Sequence, residues 1–274
     1  MLDRRLAALL ILPVLFGCKG KAVDPLQESY RALRSVPRER WDRLAGKKIF
    51  FGHHSVGRNI LSGLEDVMRA EPSVRLVLRE TSDPRDFGGP VFAHATVGRN
   101  GDPAGKIDEF RRLLDGGLGQ AADIAFFKLC FVDVGRASDI DAILDHYDRT
   151  LAGLGARYPG LRIIPVTVPL TNQARGIKAR IKRLLGRGPA VRADNARRNA
   201  LNRRIRERYG AAVWDLAGAE AGAGAGPEAA SDGEGESLAL LNPAFTTDGG
   251  HLNAVGRQVV AIDLLLHLAS LDLR

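Results

Sequence analysis

The chain has 274 residues, of which 45% are hydrophobic and 31 are glycine, a composition that can bury one substantial core without requiring two domains. Its net charge is +8, yet residues 172–208 hold 13 Lys/Arg against 2 Asp/Glu, a local +11 that leaves −3 for the rest. The positive charge is therefore concentrated in one segment, and a protein-wide basic surface for nucleic acid is not indicated.

The first eighteen residues have the pattern of an export signal. Two arginines within residues 1–5 precede an apolar run over residues 6–16, which is too short to span a bilayer as a helix. The run ends in Leu15-Phe16-Gly17-Cys18, which resembles a bacterial lipobox. We expect residues 1–18 to be a signal peptide and Cys18 to carry a lipid anchor. The protein would then be exported to the cell envelope, on the periplasmic or extracellular side; cleavage without lipidation and an uncleaved tether are the alternatives.

Ser55 follows the first strong strand of the chain. Residues 19–46 are expected to be a lead-in with an amphipathic stretch at 26–33, and residues 47–274 a single domain. A strand is predicted over 47–52 and a helix over 58–70, so Ser55 lies where parallel α/β sheets place their ligands. There its hydroxyl is expected to be exposed, with its N–H at the positive end of a helix. The alternative role is an N-cap of that helix.

The remaining elements alternate between strands and helices. Further strands are predicted at 74–78, 123–132, 161–168 and 211–216, and helices at 104–114, 139–158, 173–185, 192–209 and 253–271. Residues 82–103 are expected to form a long loop, and the Gly/Ala/Glu-rich stretch 217–237 a low-complexity surface loop. This alternation predicts a three-layer α/β/α sandwich with a central, mostly parallel sheet of about five strands.

Asp248 and His251 stand three residues apart on a glycine turn before the last predicted helix. At that spacing the carboxylate can accept from the imidazole Nδ1–H, and Nε2 is left free to take a proton from a serine hydroxyl. An Asp-x-x-His turn alone is a weak signal. Combined with a serine after the first strand, it predicts a catalytic triad of Ser55, His251 and Asp248.

These blocks resemble those of the SGNH/GDSL hydrolases. In that family a Gly-Asp-Ser block follows the first strand, where this chain has Gly52-His53-His54-Ser55, and the last block reads Asp-x-x-His. Residues 100–105 resemble the second block, whose glycine N–H, here that of Gly101, helps to form the oxyanion hole. The resemblance covers most of 47–271. It implies an SGNH/flavodoxin-like fold and a serine esterase that works through an acyl-enzyme without a cofactor or a metal.

One block departs from the family pattern. The third block usually reads Gly-x-Asn-Asp, and its Asn donates to the oxyanion, whereas this chain has Val132 at that place, before Asp133. Loss of one such donor costs about 2.7–4 kcal/mol in the transition state. Asn100 is the first candidate substitute and Lys128 the second, with His54 as a substrate-facing residue. Lys128 stands in an apolar strand, so the alternative is a structural lysine that pairs with Asp133 or reaches solvent from the strand end.

A metal site is the rival interpretation of the histidines. His53, His54, His94 and His251 could ligate a metal together with Asp133 and activate water. The chain has no His-x-x-x-His spacing, and adjacent histidines point to opposite sides of an extended strand. We therefore expect no metal.

The two predicted basic helices, 173–185 and 192–209, are the segments from which binding partners can be considered. Their cations interleave with apolar residues, so they could rest on anionic lipid headgroups, although we favour solvated faces. Nucleic acid is not expected, since aromatic platforms are absent there and export is implied. The predicted substrate is an ester on a glycan, a lipid or a small molecule. The alternatives are a non-catalytic envelope lipoprotein that binds glycan or lipid, and an acyltransferase.

Overall fold

The computed structural model describes residues 24–174, 190–222, 230–231 and 237–272. The expected signal peptide, Cys18, most of the first basic helix and most of the low-complexity stretch lie outside these residues. Within them, no helix is long and apolar enough to cross a bilayer.

Helices and short strands alternate along the chain. The helices are α1 Pro25–Arg34, α2 Arg38–Ala45, α3 Ser55–Ala70, α4 Pro103–Leu113, α5 Ile140–Arg157, α6 Val191–Tyr209, α7 Leu216–Ala221 and α8 Ala254–Ser270. The strands are β1 Lys48–His53, β2 Leu78–Glu80, β3 Val91–Thr96, β4 Ile124–Phe127, β5 Arg162–Ile163, β6 Ala230–Ser231 and β7 Ser237–Leu238. Short helical turns cover Pro84–Phe87, Leu114–Leu118, Gly119–Ala121 and Gly210–Ala212.

The central sheet is parallel throughout, in the order β2-β3-β1-β4-β5, and β6 and β7 form a separate small ribbon. Strand β1 occupies the middle, with Phe51 beside His94 of β3 on one side and Phe126 of β4 on the other. A parallel sheet of this kind must be covered on both faces, which explains why β1 and β4 are almost entirely apolar. The three-layer α/β/α prediction is confirmed.

Two apolar cores lie on opposite faces of the sheet. On one face the stacked rings of Phe51 and Phe126 pack against Trp214 and helices α3 and α8. On the other face Phe110 of α4 stacks on Phe127, with α5 and α6 beside them. Because β1 ends between these layers, the groups that follow it stand at the sheet edge rather than inside either core.

Helices α3 and α8 approach each other unusually closely at Gly63. A Cβ at this position would lie 2.1 Å from the Arg257 carbonyl oxygen, so only glycine allows this packing distance. Helix α3 begins at Ser55, and α8 begins three residues after His251. The close crossing therefore couples the two helices whose N-termini hold the predicted nucleophile and base.

Several elements differ from the sequence predictions. Strand β3 lies within the predicted loop 82–103, and β2 begins where the predicted strand 74–78 ends. The predicted strand 211–216 is a single bridge between Trp214 and Val166, and α7 occupies the start of the predicted low-complexity loop. The described part of the lead-in forms α1 and α2. Their residues Leu33, Trp41 and Leu44 are buried in the core, so the folded domain begins well before residue 47.

Candidate active site

The loops that follow β1, β3 and β4 meet at the carboxyl edge of the sheet. Ser55 is the first residue of α3, and His54 before it is extended, with φ −134°. This abrupt change from strand to helix leaves the Ser55 side chain half-buried, and its N–H belongs to the first turn, where no intrahelical acceptor exists. Ser55 thus combines a half-buried side chain with an N–H at the positive end of a sixteen-residue helix.

Asp248 and His251 form a hydrogen-bonded pair on a tight turn. Gly249 has φ +88°, which allows Asp248 Oδ1 to accept from the N–H groups of Gly250 at 2.9 Å and His251 at 2.8 Å. Asp248 Oδ2 lies 2.7 Å from His251 Nδ1. Although partial burial raises the pKa of Asp248, these N–H donors and the imidazole lower it to about 2. Asp248 is therefore ionised at any ordinary pH and holds Nδ1 in its protonated form.

Asn59 connects the histidine turn to the helix of Ser55. It lies one turn after Ser55 on α3, and its Oδ1 accepts from the Leu252 N–H at 3.2 Å. The edge of the Phe131 ring packs on the imidazole, with 5.8 Å between centroids. Within the described residues no hydrogen bond joins Ser55 to His251, whose side chain remains 43% exposed. The structure joins Asp248 to His251 and brings Ser55 onto the adjoining helix.

The Gly101 N–H is already occupied. It donates to Asp133 Oδ1 at 2.7 Å, so the oxyanion role expected for this N–H is not open in this structure. The neighbouring Asn100 is exposed, and its Oδ1 accepts from Lys106 Nζ at 2.9 Å. Because the carbonyl end of the Asn100 amide is held by a lysine, its Nδ2 is the end left to donate.

A buried ion pair supports this loop from below. Lys106 Nζ lies 2.6 Å from Asp133 Oδ2, and their side chains are 1% and 0% exposed. Asp133 also accepts from the Cys130 N–H at 2.6 Å, so one carboxylate ties the loops after β3 and β4 together. Lys106 was not singled out in the sequence, although it stands four residues before Phe110 on the apolar face of α4, an unusual place for a cation.

Lys128 and His54 do not occupy the positions expected of them. Lys128 is buried, and its Nζ contacts Cys130 Sγ at 3.3 Å; the partner of Asp133 is Lys106, so a Lys128–Asp133 pair is wrong. Burial lowers the pKa of Lys128. His54 Nε2 donates to the carbonyl oxygens of Val97 at 3.0 Å and Gly98 at 2.9 Å. His54 therefore connects the loop after β3 to the turn that precedes Ser55.

His53 and His94 form a pair beneath this turn. His53 Nδ1 lies 3.1 Å from the His54 carbonyl oxygen, which can only accept, so the network assigns the His53 proton to Nδ1. His53 Nε2 then accepts from His94 Nδ1 at 3.1 Å, and burial lowers the pKa of His53 to about 3. Among the described residues, no group of three or more His, Cys, Asp or Glu is placed to hold a metal ion.

A cavity of about 480 Å³ opens beside His251. Phe131, Val132 and Val191 provide apolar walls, and the turn of Asp248 to His251 forms one side. Arg198 and Asp194 of α6 also line it. The basic segment was expected to be solvated, but Arg198 is 4% exposed and lies one turn from the buried Leu201 and Asn202. That shared helix face is the sequence signal that could have identified Arg198.

No protein-family model matches the chain, and no curated protein matches its sequence. Among solved structures it resembles one described as "a putative platelet activating factor from Streptococcus pneumonia", at 15% identity over 89% of this chain and 94% of that one, with a TM-score of 0.48. It also resembles the salicylyl-acyltransferase SsfX3 from a tetracycline biosynthetic pathway, at 16% identity over 83% of this chain and 56% of that one, with a TM-score of 0.35. Both likenesses are distant, and neither carries a substrate over to this chain.

Proposed function

We propose that the protein is a serine-dependent ester hydrolase in which Ser55 is the nucleophile, His251 the general base and Asp248 the group that orients it. The observation that carries this proposal is the 2.7 Å contact between Asp248 Oδ2 and His251 Nδ1, on a turn that Asn59 ties to the helix of Ser55. A carboxylate with a pKa of about 2 stabilises the imidazolium that forms when His251 accepts a proton.

The first half of the reaction forms an acyl-enzyme. Ser55 Oγ attacks the ester carbonyl carbon, and its proton passes to His251 Nε2. The tetrahedral intermediate collapses with cleavage of the bond between the carbonyl carbon and the alkoxy oxygen. The imidazolium gives its proton to the departing alcohol, so charge and protons balance, and the acyl group stays on Ser55.

The oxyanion needs donors that are already in place. The Ser55 N–H at the start of α3 supplies one, and we assign the second to Asn100 Nδ2, since the Gly101 N–H is bound to Asp133. The Lys106 contact holds the Asn100 amide before substrate arrives, so the donor needs little reorganisation during the reaction. This assignment would compensate for Val132, which has no polar side chain.

The second half of the reaction releases the acyl group. His251 takes a proton from water, the resulting hydroxide attacks the acyl carbon, and Ser55 leaves with the proton returned by the imidazolium. A sugar or alcohol hydroxyl in place of water would make the protein an acyltransferase. Product analysis with and without an acceptor sugar separates the two reactions. The steps use no cofactor.

Labelling with a fluorophosphonate probe tests the proposal directly. The full chain, extracted in mild detergent, should be labelled in the wild type and unlabelled after Ser55→Ala, because only an activated serine reacts. His251→Ala should reduce labelling to background as well. A folded wild type that takes no label would contradict the proposal. It would favour the alternative of a non-catalytic module that binds glycan or lipid, which Val132 in place of the family Asn already suggests.

Asn100→Ala is expected to lower kcat by about 10²- to 10³-fold with little change in KM, since the donor acts only on the transition state. Asn100→Asp is the matched variant: its carboxylate can keep the Lys106 contact but cannot donate. Both should lose activity to a similar degree, as measured by steady-state ester hydrolysis. Unchanged kcat in Asn100→Asp would show that the second oxyanion donor lies elsewhere.

We further propose that the protein is a lipoprotein of the cell envelope, anchored through Cys18, which makes acylated glycans or lipids the natural substrates to test. Cys18→Ser is expected to move the protein from the membrane fraction to the soluble envelope or medium fraction, as measured by immunoblot. Cys130→Ser, which leaves the expected lipidation site intact, serves as the control. Continued membrane retention of Cys18→Ser would contradict lipid anchoring.

A further inference from the structure

Arg198 in the cavity beside His251 has hydrogen-bonding capacity that the described chain does not use. Its Nε donates to the carbonyl oxygens of Phe131 at 3.0 Å and Val134 at 2.9 Å. Its Nη1 donates to Thr171 Oγ1 at 2.8 Å and Asn195 Oδ1 at 2.9 Å. Nη2 has no acceptor among the described residues. A guanidinium has five N–H donors, so two of them remain for a ligand.

The guanidinium is buried without a contacting counter-ion. Arg198 is 4% exposed, and no carboxylate of the described residues lies within salt-bridge distance. Its four acceptors are all neutral. Burial of a charge is costly unless an opposite charge or a full set of hydrogen bonds compensates. A side chain held in this way is rigid, because four hydrogen bonds fix it, and its remaining donors therefore have a defined direction.

Three acids lie in the surroundings, and none of them neutralises this group by contact. Asp194 lines the same cavity, but its Oδ1 accepts from the Arg136 N–H at 2.9 Å. Glu220 is buried, which raises its pKa to about 8, so it is largely uncharged at neutral pH. Asp248 is paired with His251. Asp194 therefore acts on Arg198 only through space, and the Nη2 donors of Arg198 remain for a ligand.

We infer that the cavity binds an anionic oxygen group of the ester substrate (a carboxylate, phosphate or sulfate) through the free Nη2 donors of Arg198. This inference rests on the proposed function, because the anionic group is taken to be part of the ester that the protein hydrolyses. Each of the two Nη2 N–H groups can donate a charge-assisted hydrogen bond to an anionic oxygen, and such bonds are stronger than those between neutral groups.

The position of the cavity sets where this group lies in the substrate. Its wall includes His251 and Gly250, so a bound anion stands next to the ester that the base serves. A volume of about 480 Å³ lies within the range of pockets that hold small-molecule ligands, so it has room for the anion together with the apolar links to the ester. Phe131 and Val191 would contact the apolar links between the anion and the ester, and Asp194 would disfavour a second anion on its side.

Matched ester pairs test this inference. On the acyl side, the 4-nitrophenyl monoester of glutarate is compared with its neutral methyl ester. On the alcohol side, 3-carboxy-4-nitrophenyl butyrate is compared with 4-nitrophenyl butyrate. We expect the wild type to prefer the anionic member of at least one pair by about 10- to 100-fold in kcat/KM. No preference for an anion in either pair would overturn the inference.

Substitutions in and beside the cavity test whether Arg198 causes the preference for the anionic ester. Arg198→Gln should abolish the preference for the anionic ester, measured as the anionic-to-neutral ratio of kcat/KM, while the neutral ester is still hydrolysed. Arg198→Lys, which keeps a positive charge, should retain part of this ratio. The neighbouring Arg197→Gln is the matched control, since Arg197 donates to the Ser138 carbonyl oxygen at an exposed position, and it should keep the full ratio. Asp194→Asn should increase the preference. A full ratio in folded Arg198→Gln or Arg198→Lys would assign the anion to another residue.

Calorimetry with glutarate and inorganic phosphate on the Ser55→Ala variant separates this inference from the proposed function. Binding that disappears on adding Arg198→Gln, together with a wild type that hydrolyses no ester, would support the anion site and reject only the hydrolase. Ester hydrolysis by the wild type, without anion binding and without preference for an anionic ester, would support the hydrolase and reject only the anion site. Circular dichroism confirms that each variant is folded before either result is used.

Discussion

Replacing His251 with alanine is expected to lower kcat for ester hydrolysis by about 10⁴- to 10⁶-fold, with the residual rate set by the oxyanion donors and binding alone. The loss is large because no other imidazole of the described site is paired with a carboxylate as His251 is: both ring nitrogens of His53 are bound, to the His54 carbonyl and to His94, and His54 Nε2 donates to two carbonyl oxygens. Single-turnover kinetics with a 4-nitrophenyl ester measure the effect.

Two further variants test whether this loss of activity depends on the Asp248–His251 pair. Asp248→Asn is expected to lose about 10⁴-fold, because an amide no longer stabilises the imidazolium and can favour the wrong tautomer. His146→Ala, a histidine on α5 outside the proposed mechanism, should stay close to wild type. If Asp248→Asn retained full activity, Asp248 would be a residue of the turn and not of the reaction.

The largest effect on stability is expected from Lys106→Met. Removing the lysine leaves the Asp133 carboxylate buried and without its cation, which typically costs about 3–5 kcal/mol in the free energy of unfolding. The remaining donors, the N–H groups of Gly101 and Cys130, satisfy hydrogen bonds but do not neutralise the charge. Urea denaturation followed by circular dichroism measures the loss.

Arg111→Met provides the matched control for this variant. Arg111 lies on the same helix and pairs with Asp108 at 3.5 Å, but both side chains are about half exposed, so its loss should change stability by no more than about 0.5 kcal/mol. Adding Asp133→Asn to Lys106→Met should recover part of the loss, because the buried charge is then gone. Equal effects of Lys106→Met and Arg111→Met would contradict a structural role for the buried pair.

Much of the fold could be predicted because most elements carry their own apolar pattern. Strand β1 is buried on both faces, and α3, α5 and α8 have apolar faces of ordinary helical period, so the sequence predicts them within a few residues. Strand β4 is predicted as well, but it ends at Phe127, five residues before the end of the predicted strand 123–132. Strand β3 could not be predicted in this way. It follows Gly-Gly-Pro and includes His94 and Thr96, and it is a strand because six of its residues pair with β1, an interaction between distant parts of the chain.

The candidate site shows the same division. Ser55, Asp248 and His251 are predicted because each lies at a local boundary, a strand end or a helix start. The roles of Gly101 and Lys128 could not be predicted, since they depend on which carboxylate or thiol the fold brings to them. The composition of its segment did not identify Arg198 as a site residue. A segment rich in cations predicts a solvated helix face, and the burial of one of these cations is decided by packing against the sheet.

The glycine at the crossing of α3 and α8 has a consequence for catalysis at a distance. Ser55 begins one of these helices and the His251 turn leads into the other, so the distance between the proposed nucleophile and the proposed base depends on how closely the two helix axes approach. Gly63 lies two helical turns from Ser55 and touches no substrate, yet any side chain there would wedge the axes apart through the Arg257 backbone. The separation of Ser55 and His251 is therefore a geometric property of the helix pair, set by the glycine at its crossing.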